Sequence, residues 1–236
     1  MEKNGLVEIK KGQTGPGLLI EHDGYISSEI GNNKKLFEDI NARREGGEFF
    51  CPEHFVVSAV FQKYGIENAN GRIYPENVLK REVEKYMEKI REKRAIGECN
   101  HPSESVIDLS RVAMNIIDLR WQGHTLVGEL EIITSPGFRK YGIISCQGDQ
   151  VANLIISGIK IGVSSRGLGS VTNKMGILYV GDDYEIVCWD VVSDPSTPGA
   201  WISQQPEELN QYMEEKVSDK ANLIENLKKF DNWLNS

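Results

Sequence analysis

The stretch Gly162-Val163-Ser164-Ser165-Arg166-Gly167-Leu168-Gly169-Ser170-Val171 decides how the rest of the chain is read. An apolar run from Leu154-Ile155-Ile156 through Ile159 and Ile161 leads into it, so paired serines and an arginine appear where burial is beginning. If the segment is extended, side chains alternate between faces: Ser164 and Arg166 share one, Val163 and Ser165 the other. One serine is then presented and one is buried. Gly167 and Gly169 let the backbone turn or approach a ligand closely, and the N–H groups of Arg166 and Gly167 are candidates for facing a developing negative charge. The plainer alternative is a serine-rich turn between two strands. Partners elsewhere in the chain decide between the two.

A chain of 236 residues can bury one substantial core. Its 39% apolar and 26% charged residues are those of a globular protein in water. No apolar run is long enough to cross a bilayer, and the opening Met-Glu-Lys-Asn-Gly lacks the apolar centre of a secretory signal, so a cytoplasmic protein without membrane contact is expected. Cys51, Cys99, Cys146 and Cys188 show no Cys-x-x-Cys spacing, which argues against a zinc site or a disulfide framework. A formal charge of −8 argues against a broad nucleic-acid-binding surface.

Residues 1–48 are rich in Gly, Asn, Lys and Glu with short apolar islands such as Leu18-Leu19-Ile20, and read as a loosely structured arm. The core is expected over 49–205. Phe49-Phe50 and Val56 to Phe61 suit strands. Asn68-Ala69-Asn70-Gly71-Arg72 is a turn signature, and Pro75-Glu76 opens a helix to about Arg94, with Val78, Leu79, Val83, Tyr86 and Ile90 near helical spacing. Arg94 to Pro102 reads as a short strand. Val112 to Trp121 and Thr125 to Ile133 form a hairpin around Gln122-Gly123-His124. Gly148 to Gly158 carries a helix leading into the Ser164 strand. Gly176 to Val180 and Tyr184 to Val192 read as a second hairpin around Gly181-Asp182-Asp183. Residues 206–236 read as a charged helical tail.

The chain has no Gly-x-x-x-x-Gly-Lys-Ser/Thr loop, no His-Glu-x-x-His and no Gly-x-Ser-x-Gly elbow, and no metal or cofactor is implied. Of the histidines, His22, His54 and His124 occupy arm, turn and hairpin tip. His101 ends a strand and is held extended by Pro102, a rigid placement of the kind a general base needs. Asp190 interrupts an apolar strand after Trp189, where a carboxylate must find a partner or face solvent. Asp194, in Ser193-Asp194-Pro195-Ser196, is more naturally a turn residue. Together Ser164, His101 and Asp190 make an acyl-transfer set: nucleophile, proton acceptor and orienting carboxylate. The backbone at Arg166 and Gly167 would then be the oxyanion hole, with the Arg166 side chain anchoring that segment or touching substrate. Cys99 as the nucleophile of a cysteine hydrolase is the weaker alternative.

Asn70-Gly71-Arg72-Ile73-Tyr74-Pro75, Gly97-Glu98-Cys99-Asn100-His101-Pro102, Gly162 to Ser170, and Asp190-Val191-Val192 with Pro195-Ser196 and Ala200-Trp201 occur in an order that resembles the prohead core proteases of T-even-like tailed phages. The resemblance spans about residues 65–202. It implies an α+β fold of the herpesvirus assemblin kind, a closed or partly closed β-barrel flanked by helices. It further implies His101 as base and Ser164 as nucleophile, with Asp190, Asp194 or Glu98 as third member. Such an enzyme works in the host cytoplasm, packaged inside the immature prohead. Its partners are scaffold or core proteins, capsid proteins and itself, with a homo-oligomer left open; a catalytically silent capsid component of the same fold is the alternative. The family cuts after glutamate preceded two positions earlier by an aliphatic residue. Leu6-Val7-Glu8, Leu19-Ile20-Glu21, Leu36-Phe37-Glu38 and Leu223-Ile224-Glu225 match in the ends, and Ile96-Gly97-Glu98 matches beside His101. Arg111, Arg120, Lys160 and Arg166 are the candidates for recognising the glutamate.

Overall fold

A computed structural model describes residues 7–26, 33–102, 104–193. The chain divides into two units, 1–202 and 203–236, and the second lies outside the described residues, as do Asp194 and the whole expected tail. Among its described residues the first is an α+β unit of nine strands and four α-helices: β1 (Gly15–Ile26), α1 (Asn33–Glu45), β2 (Phe55–Lys63), β3 (Arg72–Ile73), α2 (Glu76–Arg91), β4 (Ile96–Glu98), β5 (Val112–Gln122), β6 (Thr125–Ile132), α3 (Pro136–Tyr141), α4 (Gln147–Ile156), β7 (Gly162–Lys174), β8 (Ile177–Val180) and β9 (Glu185–Val192). The strands form one curled half-barrel sheet in the order β3-β8-β7-β1-β2-β6-β5-β4, with β9 also on β7. Its β4 end comes back against β9 through one parallel bridge, Cys99 to Val191.

The expectation of a loose arm over 1–48 is corrected. Leu18 and Leu19 are fully buried because β1 runs antiparallel along β7 from Gly15↔Val171 to Tyr25↔Gly162. Burial comes from that distant strand, so a short apolar island suffices where local periodicity shows little. In α1 only Ile40 among the apolar residues is buried, and Asn33 ties the helix to β2 by exchanging hydrogen bonds with the Ser58 backbone, 2.7 Å each way. Leu19-Ile20-Glu21 and Leu36-Phe37-Glu38 therefore lie in a strand and a helix rather than in loose ends.

The long amphipathic helix and the β5–β6 hairpin form where expected. Pro75 precedes α2 in extended conformation, Glu76 sits in its first turn and Lys89 and Arg91 in its last, complementing the helix dipole. Its face of Val78, Leu79, Val83 and Tyr86 is buried. Tyr86 meets Trp189 edge to face at 4.8 Å and Phe61 meets the same indole at 5.5 Å. Such pairs are worth about 1 kcal/mol each beyond area burial, so Trp189→Ala should cost about 3–5 kcal/mol. That aromatic stack fixes the strand carrying Asp190.

The second expected hairpin does not form. β8 pairs with the end of β7 over Val171 to Lys174, whereas β9 pairs with its beginning over Gly162 to Leu168. At 13 residues β7 is long enough to seat both along one edge, so Gly181-Asp182-Asp183 displaces the chain instead of folding β9 onto β8. Phe49 and Phe50 lie outside any strand; Phe49 instead packs edge-on against Phe138 at 5.3 Å.

Candidate active site

Antiparallel pairing of β7 with β9 places Ser164 directly opposite Asp190, and Arg166 opposite Cys188. Opposed residues point to the same face, so all four side chains lie in one layer. The third strand arrives by a close approach: a Cβ on Gly97 would stand 2.1 Å from the Trp189 carbonyl oxygen, so only glycine lets β4 lie against β9 there. Asn100 then adopts φ 65°, a region asparagine tolerates better than most residues, and its N–H donates to the Val191 carbonyl at 2.8 Å. These two features deliver His101 to Asp190.

Nδ1 of His101 lies 2.8 Å from Asp190 Oδ2, and Nε2 contacts Ser164 Oγ. Asp190 is fully buried; its Oδ1 accepts the Glu98 N–H at 3.0 Å and its Oδ2 lies 2.9 Å from Arg166 Nε. Burial pushes its carboxyl up, but the His101 hydrogen bond, the Arg166 and His101 charges and the Glu98 N–H together outweigh that and hold it below the usual carboxylate range. An ionised Asp190 keeps the imidazole proton on Nδ1, which leaves the Nε2 lone pair to take the serine proton. The arrangement can activate a hydroxyl for attack on a carbonyl.

Two expectations at this site are corrected. Both serines are buried: Ser164 lies against His101 and the Glu21 carbonyl, and Ser165 is on the face that Tyr184 covers, where a Cβ on Gly167 would meet that ring at 2.4 Å. Gly167 thus makes room for an aromatic side chain, not for a ligand. Arg166 and Gly167 also lie inside a strand paired to β1 and to β9, with a register shift of the β9 pairing between them, rather than in a free turn. The Arg166 side chain is fully buried, with Nη2 2.6 Å from Glu98 Oε2 and Nη1 2.5 Å from the Glu104 carbonyl, so it anchors the segment after His101, one of the two roles expected of it.

The other candidates fall elsewhere. His54 is exposed beside Glu131 at 2.8 Å, and Arg120 pairs with Asp118 on the surface. Arg111 donates to the Cys99 carbonyl at 2.9 Å, two residues from His101. Burial pushes the Cys99 thiol up, the opposite of what a nucleophilic thiolate needs. Among the described residues no group of three or more His, Cys, Asp or Glu side chains could hold a metal ion, and no helix is long and apolar enough to cross a membrane. Sequence reasoning missed Glu21, whose carbonyl accepts from Ser164 Oγ across the β1–β7 pairing. No local signal marks it, since the contact is made by its main chain through the pairing with a distant strand.

The family described as prohead core protein serine protease matches residues 18–214. The chain belongs to that family. Within it, the prohead core protein protease of Enterobacteria phage T4 is 32% identical over 199 residues, covering 83% of this chain and 87% of that protein. The solved structure of the bacteriophage T4 capsid assembly protease superimposes with a TM-score of 0.59 at 26% identity, covering 75% of this chain and 98% of that one. Family membership makes the chain a capsid maturation protease.

Proposed function

We propose that this prohead protease is a serine endopeptidase in which Ser164 attacks the scissile carbonyl, His101 accepts and returns the proton, and Asp190 orients the imidazole. The observation that carries the reading is the buried relay from Asp190 Oδ2 through both ring nitrogens of His101 to Ser164 Oγ. Its substrates are scaffold and capsid polypeptides inside the prohead within the host cytoplasm, cut after glutamate, and its own chain. The return of β4 to β9 supports a barrel of the assemblin kind. Val7 and Glu8 are exposed, so Glu8, together with Glu225 in the tail, is the self-processing position; Glu21 is fully buried and is not.

Incubating the purified chain with a scaffold-like polypeptide, beside Ser164→Ala, and reading new termini by mass spectrometry tests this. Termini following glutamate in the wild type and none in Ser164→Ala are expected; cleavage by Ser164→Ala would refute it. The full burial of Ser164 favours a second reading, a catalytically silent capsid component of the same fold. That reading requires the wild type to leave every substrate and itself intact, including after assembly into proheads.

A further inference from the structure

Ser164 Oγ touches two acceptors, Nε2 of His101 and the main-chain carbonyl of Glu21. A hydroxyl has one proton, so it serves one of them at a time. The Glu21 carbonyl is there because the β1–β7 register shifts at that point: Glu21 pairs with Ser165 and Gly24 with Val163, so residues 22 and 23 bulge opposite Ser164. Bulges of this kind re-aim groups next to reactive sites.

The side chain of Glu21 explains what fixes the bulge. It is fully buried, and four donors saturate its carboxylate: Arg72 Nη1 at 2.5 Å and Tyr74 Oη at 2.8 Å on Oε1, Asn68 Nδ2 at 2.6 Å and Asn70 Nδ2 at 2.8 Å on Oε2. Asn70 also donates to the Ile20 carbonyl at 3.1 Å, and Arg72 Nη2 donates to the Ile9 carbonyl in the segment before β1, so the clamp holds the main chain on the N-terminal side of the bulge. All four donors come from Asn68 to Tyr74, a segment the proton relay does not use. A buried ion pair is a poor source of net stability compared with apolar packing, but it can fix one arrangement against others.

We propose that Glu21, Asn68, Asn70, Arg72 and Tyr74 are a positioning unit for the nucleophile. The clamped carboxylate sets the bulge, and the bulge carbonyl holds the Ser164 hydroxyl within reach of Nε2. These are positioning residues: their side chains act on Ser164 only through the place they give one carbonyl. The inference rests on Ser164 being the nucleophile, and its test has one arm that needs no turnover.

The full-length chain is compared with Glu21→Gln, Tyr74→Phe and Ser164→Ala at a temperature where far-ultraviolet circular dichroism shows all of them folded. The first readout is the 15N resonance of His101 Nε2. Loosening the clamp should move it toward its position in Ser164→Ala, further in Glu21→Gln than in Tyr74→Phe. The second is turnover of a glutamate-containing peptide: kcat should fall about 10- to 100-fold in Glu21→Gln with KM within about twofold, the size expected from misplacing a reacting group by about 1 Å. A clamp that only stabilises the fold would lower the unfolding temperature and leave both readouts unmoved in the folded protein, which would overturn the proposal. If Glu21→Gln does not fold, Tyr74→Phe, which removes one donor and little volume, decides by the same two readouts. If the wild type cleaves nothing, the protease reading fails, and the Nε2 resonance alone supports or overturns the clamp.

Discussion

Replacing Arg166 by methionine removes the single cation from a buried layer that also holds Glu98 and Asp190. Its guanidinium reaches both carboxylates, 2.6 Å from Glu98 Oε2 and 2.9 Å from Asp190 Oδ2, and all three side chains are fully buried. Methionine matches the length and volume of the arginine stem, so little is lost to a cavity; the cost comes from two carboxylates left without their counter-charge. Breaking a buried pair from one side typically costs about 3–5 kcal/mol, against about 5–15 kcal/mol for the whole stability of a domain. Arg166→Met should therefore be close to unfolding. Adding Glu98→Gln removes one of the stranded charges while keeping the shape, so the double variant should recover about 2 kcal/mol or more relative to Arg166→Met. Urea unfolding at pH 7, followed by circular dichroism with unchanged m-values, measures each term of the cycle. Two results would refute the reasoning: Arg166→Met within about 1 kcal/mol of the wild type, or a double variant as unstable as the sum of the two single ones.

Asp190→Asn should stay folded but lower kcat by about 10³- to 10⁴-fold, because an amide can donate to Nδ1 and leave the proton on the wrong ring nitrogen; steady-state cleavage of a peptide measures it. Asp149 is fully buried and accepts from the Ser135, Ser145 and Cys146 backbones, which join the starts of α3 and α4 and, with the serine hydroxyls, outweigh burial to hold its carboxyl down to about 2. A depressed carboxyl stabilises the fold above its unfolded value near 4 and loses that contribution as pH falls toward 2. Asp149→Asn should thus cost about 2 kcal/mol at pH 7 and flatten the acid limb of stability, read from urea midpoints between pH 7 and 3. Gly97→Ala forces β4 away from the Trp189 carbonyl and should cost about 1–3 kcal/mol while lowering kcat at temperatures where the protein is folded, since His101 follows four residues later. Arg111 lies beside Cys99 with its Nε buried and without a hydrogen-bond partner, so Arg111→Met should weaken the preference for glutamate over glutamine at the cut by about 10-fold in kcat/KM; an unchanged preference would remove Arg111 from the recognition site.

Segments whose burial follows a local rule were legible in the sequence. The helical spacing of Val78, Leu79, Val83 and Tyr86, the hairpin at Gln122-Gly123-His124 and the apolar run into Ser164 each carry their own period and turn residues, and α2, β5–β6, α4 and β7 follow. Ser164 and Asp190 stood out because each is polar chemistry where its neighbours call for burial, and His101 because Pro102 holds it extended at the end of a strand. What stayed hidden depends on partners far away in sequence. β1 shows one short apolar island, Leu18-Leu19-Ile20, among Gly, Glu, His and Asp, and it becomes a core strand through β7, more than a hundred residues on. Alternation along β7 correctly separated Ser164 from Ser165, but it could not say that Tyr184 would cover the second face. Nor does any local pattern show that Glu21, one residue beyond an apolar island, ends up against the nucleophile.

The fate of Arg166 shows how strand pairing favours one of the two roles that alternation left open. Period-two alternation put it on the face of Ser164, and an exposed arginine beside a nucleophile reads as a contact for substrate. The same alternation in β9 puts Cys188 and Asp190 on one face, and the register Ser164↔Asp190, Arg166↔Cys188 superimposes the two faces. Once those strands pair, an arginine two residues from the serine stands over the carboxylate that serves the histidine. Its charge is then spent inside the protein, with Glu98 sharing it from β4. Three strands that meet here thus exchange one cation and two anions in the same layer as the proton relay, so the ionisation of Asp190, and with it the tautomer of His101, depends on β4, β7 and β9 being docked together.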